Sequence, residues 1–254
     1  MRAQHGGSGS GTVNRSRWTV RYANTGALFV PGLGVVQGMN WLHDGDLVVA
    51  VDQNRTLTRV NAKGGTSTLA TDVGAYGVIV GPDSYIYTAN YQSIHRIDPK
   101  TGDKEVLISK NRVSPRVLNF SPDFSKLYVG TYMGNGGKIY EVTLDKNLDP
   151  VGGLTVFATG VGTGSYHDAL EVDAGGNIYV VDYSTSTLWR ITPAGKVSNL
   201  HNFGSRNYGH GITWGNGVDG WRDDAIYLPQ PYNGNNVVDV VIQVPSREDR
   251  TSVV

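Results

Sequence analysis

The sequence repeats one pattern of strands about every forty residues, and this repeat constrains its fold more than any other feature. Each copy has an alternating apolar strand, a tight turn rich in Asp, Gly or Pro, and a second strand of Val, Ile, Leu and Tyr. The copies begin at Gln37 (QGMNWLHDGDLVVAVD), Tyr76 (YGVIVGPDSYIYTAN), Arg116 (RVLNFSPDFSKLYVGTY), Asp168 (DALEVDAGGNIYVVD) and His210 (HGITWGNGVDGWRDDAIYLPQ). Alternation with a period of two between such turns indicates β-hairpins.

A third strand follows every hairpin, and a fourth strand follows the first four of them. The third strands are LTRVNAKGG, IHRIDPKTG, KIYEVTLDK, LWRITPAGK and VVDVVIQVP; the fourth strands are STLAT, KEVLIS, LTVFAT and VSNLHNF. Four antiparallel strands in about forty residues make one propeller blade. The sequence therefore predicts an all-β, five-bladed β-propeller of four-stranded antiparallel blades, with six blades as the alternative.

In the fifth repeat no fourth strand follows the three predicted strands, and a strand-like segment lies near the other end of the chain. We expect residues 17–24 (RWTVRYAN) to pair with the strand around Val237–Val244 and so close the ring. Such closure satisfies backbone groups that two bare sheet edges would otherwise leave unpaired. The segment GGSGSG is typical of flexible linkers. Residues 1–12 are therefore interpreted as a flexible linker or an added tail, and residues 13–254 as a single domain.

The amino-acid composition excludes several kinds of function for this protein. The 254 residues include 22 basic and 22 acidic side chains, so no basic excess favours nucleic acid as a partner. There is no cysteine, which excludes disulfides, thiolate metal sites and a cysteine nucleophile. No apolar run is long enough to predict a transmembrane segment. We expect a monomer, and an extracellular or periplasmic location is favoured.

The residue just before each inner strand is predicted to lie at one rim of the central channel. These five residues are polar in every blade: Gln37, Tyr76, Arg116, Asp168 and His210, with Tyr166, His167 and Tyr208 beside them. Two positions further along each strand the residues are apolar and predicted to pack: Met39, Val78, Leu118, Leu170 and Ile212. Polar groups of varied chemistry that converge on a narrow channel indicate a ligand site.

Simpler structural roles compete with this interpretation. Arg116 and Asp168 can satisfy each other across the channel as an ion pair. Asp44, Asp83, Asp123 and Asp173 are expected to form hairpin turns, since aspartate accepts hydrogen bonds from nearby backbone N–H groups. The tryptophans on or near strands are expected in the core: Trp41, Trp189 and Trp214.

Two segments resemble a known family. QGMNWLHDGDLVVAVD is similar to the first blade of senescence-marker-protein/gluconolactonase proteins, where Glu-Gly-Pro-x-Trp starts the strand. HDALEVDAGGNIYVVDYSTSTLWRITPAGKV resembles that family's Asp-Gly-x-x-x-Asp blade, and also NHL-type and strictosidine-synthase-like blades.

The resemblance implies six blades, lactone hydrolysis, and a divalent cation held by Glu, Asn and Asp. The matching positions hold Gln37, Arg116 and Asp168, so only Asp168 is retained as a metal ligand. No cofactor is therefore predicted, and a divalent cation is the alternative.

Three functions follow as hypotheses. The first is a site for a small polar or anionic molecule, lined by Gln37, Tyr76, Arg116, His167, Asp168 and His210. The second is a lactone or ester hydrolase with an altered metal site. Its catalytic residues are His210 as general base (with His167 as an alternative), Asp168, and Arg116 to stabilise an oxyanion. The third is a scaffold for a macromolecule, suggested by the blade-five insertion that contains Trp221.

Overall fold

The structure is a computed structural model, and it confirms the five-bladed β-propeller. It describes residues 30, 32–74, 76–109, 113–132, 136–162, 166–204, 210–215, 222–230 and 236–242. The predicted closing strand, the proposed tail, Tyr208 and Trp221 lie outside these residues. Within them all regular secondary structure is β, and no helix is long and apolar enough to cross a membrane.

The strands form five antiparallel sheets in chain order, each a meander. The first sheet contains β1 (Val36–Trp41), β2 (Leu47–Val51), β3 (Thr56–Val60) and β4 (Thr66–Ala70). The second contains β5 (Val78–Val80), β6 (Ile86–Asn90), β7 (Ser93–Ile97) and β8 (Lys104–Ile108). The third contains β9 (Pro115–Phe120), β10 (Lys126–Thr131), β11 (Ile139–Leu144) and β12 (Pro150–Ala158).

The fourth sheet contains β13 (His167–Val172), β14 (Ile178–Asp182), β15 (Thr187–Ile191) and β16 (Val197–Asn202). The fifth contains β17 (Thr213–Trp214), β18 (Ala225–Gln230) and β19 (Asn236–Val241). Four sheets thus have the predicted four strands, and the fifth has three within the described part of the chain.

The core lies between neighbouring blades, because most residues of the inner strands β5, β9 and β13 and of the second strands β2, β6, β10 and β14 are buried. One apolar cluster joins blades 1 and 2, a second joins blades 2 and 3, and two more join blades 3 with 4 and 4 with 5. The predicted turn formers are confirmed, since the Oδ1 atoms of Asp44, Asp83, Asp123 and Asp173 accept backbone N–H groups of their own hairpins at 2.8–3.3 Å.

β1 departs from the predicted packing. Val78, Leu118, Leu170 and Ile212 are buried as expected, whereas Met39 is 59% exposed. Trp214 is buried, but the prediction of a core position for Trp41 is wrong, because its side chain is 62% exposed. β1 packs against β5 of blade 2, and its other side lines an open cleft shared with blade 5.

Candidate functional site

The five predicted rim residues come together at one end of the channel. Gln37, Tyr76, Arg116, Asp168 and His210, one from each blade, line a single cavity of about 40 Å³. This volume exceeds the space that one ordered water needs and suits a small functional group. The alignment of repeats thus placed all five residues at the correct end of their strands.

Local irregularity in the sheets explains why these side chains turn into the channel. Where β1, β9 and β13 start, one residue has no partner on the second strand, so each pairing shifts by one residue. The extra residue is Gln37 in blade 1, Arg116 in blade 3 and Asp168 in blade 4. A β-bulge re-aims its side chain, which gives His167 and Asp168 different surroundings although they are adjacent.

Asp168 is the centre of the cavity's polar network. Its side chain is only 3% exposed, and its Oδ1 forms an ion pair with Arg116 Nη2. Its Oδ2 lies 3.0 Å from Nδ1 of His210, whose side chain is 35% exposed. The sequence left open whether Arg116 and Asp168 pair with each other or bind a ligand. The structure contains the ion pair. A buried carboxylate between a guanidinium and an imidazole is held in one position.

Arg116 is also fixed by two tyrosine rings. Its guanidinium carbon lies 5.1 Å from the ring centroid of Tyr76 and 5.2 Å from that of Tyr132. Both distances are within the range of cation–π attraction. The positive charge at the channel mouth is therefore immobilised by an acid on one side and by aromatic rings on the other.

Six aromatic rings follow one another along the same rim, and we name them the aromatic arc. Consecutive centroids are 4.3, 4.3, 4.8, 6.2 and 4.9 Å apart in the order Tyr76, Tyr91, Tyr132, Tyr166, Tyr183 and His210. The arc begins and ends at residues that line the small cavity, so it runs around the mouth through blades 2, 3, 4 and 5.

Three members of the arc were missed by sequence reasoning. Tyr91, Tyr132 and Tyr183 each directly follow the second strand of a blade, at the point where that strand meets the rim. The equivalent position of blade 1 is Asp52, which is hydrogen-bonded to Tyr76. The signal was present in the repeats, because the tyrosine recurs at one fixed offset in three consecutive blades.

The arc's hydroxyl groups interact with one another. Burial raises the pKa of Tyr76, which is hydrogen-bonded to Tyr91, and burial also raises the pKa of Tyr91. A hydrogen bond with Tyr132 raises the pKa of Tyr166. These phenols therefore stay protonated at neutral pH and bond within the arc.

His167 lies away from the cavity. Its side chain is fully buried, its Nδ1 accepts the N–H of Thr131 at 3.0 Å, and its Nε2 donates to the carbonyl of Val161 at 3.0 Å. Burial lowers its pKa, which keeps the ring neutral. His167 ties blade 4 to blade 3, and it does not line the small cavity, in contrast to its predicted role as a ligand contact.

The residues at the mouth do not fit a divalent cation. The resemblance implied Gln37, Arg116 and Asp168 at the metal position, but Arg116 supplies a positive charge and no lone pair. That guanidinium already occupies one oxygen of Asp168. Within the described ranges no group of three or more His, Asp or Glu side chains is arranged to hold a metal ion.

A larger cleft of about 750 Å³ adjoins the small cavity and shares Gln37, His210 and Gly211 with it. One wall is β1, with Met39 and Trp41, and further lining comes from blade 5. Asn119 and Glu171 also line it, and the amide nitrogen of Asn119 donates to Glu171 Oε2 at 3.1 Å.

Comparisons with protein families and with solved structures agree with the β-propeller fold. Residues 114–215 match the model of the SMP-30/Gluconolactonase/LRE-like region. None of the curated proteins compared with the chain matches it significantly. Regucalcin of Agrobacterium tumefaciens, described as a calcium-binding protein, is 17% identical, with 83% of this chain and 77% of that chain covered and a TM-score of 0.65.

Two other solved structures are similar to a comparable degree. A gluconolactonase of Xanthomonas campestris is 16% identical, with coverages of 83% and 72% and a TM-score of 0.63. Virginiamycin B lyase of Staphylococcus aureus is 15% identical, with coverages of 83% and 71% and a TM-score of 0.59. At these identities the solved structures establish the propeller fold alone. The resemblance to senescence-marker-protein/gluconolactonase proteins is confirmed, and it is located by sequence in residues 114–215.

Proposed function

We propose that the channel mouth binds the anionic group of a small polar molecule without a metal ion. The observation that carries this proposal is the convergence of one polar side chain from every blade on a cavity the size of a single functional group. Arg116 and His210 are the cationic or proton-donating partners, Gln37 supplies a further polar contact, and the ring of Tyr76 forms one side of the cavity. Pockets with a few convergent polar groups are the usual small-molecule sites of folded domains.

The charge balance makes binding depend on His210. Asp168 neutralises Arg116, so these two groups together carry no net charge. Protonation of His210, which lies against Asp168, gives the cluster a surplus positive charge. A comparison of anion affinity at a lower and a higher pH therefore tests whether His210 supplies this charge, since histidine is the side chain that most often changes its charge near neutral pH.

Calorimetric titration with acetate, gluconate and benzoate tests the proposal at pH 6 and pH 8. At least one carboxylate should bind more tightly at pH 6. A charge-assisted hydrogen bond contributes about 1.5–3 kcal/mol, so Arg116→Gln or His210→Ala should weaken binding roughly 10- to 100-fold. Thr213→Ser, three residues after His210 at the start of β17, is the matched control. If His210→Ala lowers stability but leaves affinity and its pH dependence unchanged, the mouth is structural and the proposal fails.

A second candidate is acid–base catalysis on an ester or lactone. It is favoured by the contact between His210 Nδ1 and Asp168, since a carboxylate on Nδ1 orients the ring so that Nε2 acts as the base. One similar solved structure, at 18% identity, is of a catalytically inactive histidine-to-alanine variant of virginiamycin B lyase. Arg116 would then stabilise the oxyanion.

Hydrolysis assays in the presence of EDTA distinguish this candidate from binding alone. A metal-independent enzyme keeps its activity in the chelator and loses it in His210→Ala. Activity that requires added calcium would contradict the assignment of Arg116 as the fixed cation. No turnover of any ester or lactone, together with saturable binding of carboxylates, leaves the binding function as the better description.

A further inference from the structure

The aromatic arc has a geometry that inter-blade packing alone does not require. The inner strands of blades 2 to 5 already pack through aliphatic side chains such as Val78, Leu118 and Leu170. The arc lies beyond them at the rim, where its rings are half-buried. Its first and last members both line the small cavity, so the row of rings borders the site of the proposed anion on the sides of blades 2 to 5.

The chemistry of the arc favours flat apolar surfaces over hydroxyl groups. Tyr76 bonds to Tyr91 and to Asp52, and Tyr132 bonds to Tyr166, so these four phenols are engaged within the rim. A polyhydroxylated ligand would have to break these contacts to gain partners. A planar aromatic ligand would not have to break these hydrogen bonds, because aromatic rings attract one another through offset-stacked or edge-to-face contacts.

Among the residues that the structure describes, the side of the mouth formed by blade 1 carries no aromatic ring of the arc. The rim residues of blade 1 are Gln37 and Asp52, and Gln37 is exposed. A ligand entering past blade 1 meets rings on the other sides and the pair of Arg116 and His210 at the base. A carboxylate attached directly to a flat ring can reach the base while its ring stays against the arc.

We propose that the arc selects ligands in which the anionic group is attached to a planar aromatic ring. This inference rests on the proposed function, because it names the class of molecule that the same site takes. The ring packs against the arc near Tyr183, and the carboxylate contacts His210 and Arg116. Tyr183 is the informative residue: its ring lies 6.2 Å from that of Tyr166 and 4.9 Å from that of His210.

The test is calorimetric titration of the intact protein at pH 6 with benzoate, cyclohexanecarboxylate and gluconate. Benzoate and cyclohexanecarboxylate share their charge and carbon number and differ in the planarity of the ring. We expect benzoate to bind about three- to tenfold more tightly than cyclohexanecarboxylate, the range that aromatic pairing supplies, and gluconate to bind most weakly.

The variants Tyr183→Leu and Tyr183→Phe separate stacking from hydrogen bonding. Tyr183→Leu should bring the affinity for benzoate down to that for cyclohexanecarboxylate, and Tyr183→Phe should keep the preference. Tyr85→Leu is the matched control, because Tyr85 is exposed and its ring packs against Arg96 away from the mouth. If Tyr183→Leu does not fold, upfield shifts of the benzoate ring protons on binding to the unmodified protein report the same contact.

The possible results separate the two proposals. Equal affinities for the three carboxylates, unaffected by Tyr183→Leu but weakened by Arg116→Gln, would overturn the aromatic preference and leave the anion site in place. Gluconate binding more tightly than benzoate would also overturn the preference. Binding of none of them, or binding that Arg116→Gln does not weaken, would overturn both proposals.

Discussion

Asp168 of blade 4 joins three blades through one buried carboxylate, since Arg116 belongs to blade 3 and His210 to blade 5. Removing one partner of a buried ion pair leaves an uncompensated charge, which costs roughly 3–5 kcal/mol. Asp168→Asn leaves the charge of Arg116 without its acidic partner. We therefore expect this variant to lower the free energy of unfolding by about that amount. Urea denaturation measured at pH 7 checks this.

The matched control is Asp44→Asn. Asp44 also pairs with an arginine, Arg59, but its side chain is 54% exposed. Exposed ion pairs contribute about 0–1 kcal/mol because solvent screens them. Equal losses in the two variants would mean that burial does not strengthen the pair at the channel mouth.

His167 should make stability depend on pH. Burial lowers the pKa of His167 in the folded protein, whereas a histidine in an unfolded chain has a pKa of about 6.5. Above that pH the ring is neutral in both states and its contribution is complete. As the pH falls below about 6.5 the unfolded chain takes up a proton that the folded protein resists, so stability decreases.

Replacing His167 should flatten this dependence. Between pH 7 and pH 5, His167→Gln should lose less stability than the parent protein in thermal or urea unfolding. Some dependence will remain, because burial also lowers the pKa of His95. His43→Gln, at an exposed histidine, is the control. An unchanged profile in His167→Gln would show that the ring binds its proton equally well in the folded and unfolded states, so that burial does not lower its pKa.

At the scale of elements, adjacent inner strands approach each other closely at their first residues. A Cβ added to Gly77 would lie 2.8 Å from the carbonyl oxygen of Arg116 and 2.9 Å from Cα of Val117, both backbone atoms of β9. Gly77→Ala should therefore separate β5 from β9 and destabilise the fold by about 1–3 kcal/mol, as overpacking does. Chemical denaturation gives the value, with Gly153→Ala as control, because a Cβ there meets nothing within 4 Å. A neutral Gly77→Ala would show that the strands have room to shift.

The same strands show what the sequence could and could not predict. Repeat alignment located Arg116 and Asp168 correctly, because a blade's period fixes where each inner strand starts. It did not predict the bulges that separate His167 from Asp168, since a bulge depends on the partner strand. It also placed Trp41 in the core, because an alternating strand does not reveal that one of its sides faces an open cleft. Tyr91, Tyr132 and Tyr183 could have been found by comparing the residues that follow each second strand.

At the scale of the whole molecule, the fifth sheet differs from the others. In the described part of the chain β19 pairs with β18 alone, whereas every other third strand has a partner on both sides. A strand with unpaired backbone groups on one side is a template for another strand. Residues 17–24 (RWTVRYAN) have the apolar and β-branched composition of an edge strand. We predict that this segment supplies the fourth strand of blade 5.

Deletion of residues 1–25 tests the predicted closure of the ring. Loss of the fourth strand would expose backbone groups and apolar side chains of blade 5, and we expect the free energy of unfolding to fall by at least about 2 kcal/mol. For a domain of this size that lowers Tm by roughly 4–8 °C. Deletion of residues 1–12 alone removes only the linker-like tail and should leave Tm unchanged. If both deletions melt like the intact chain, residues 17–24 are not part of the sheet and the ring closes without them.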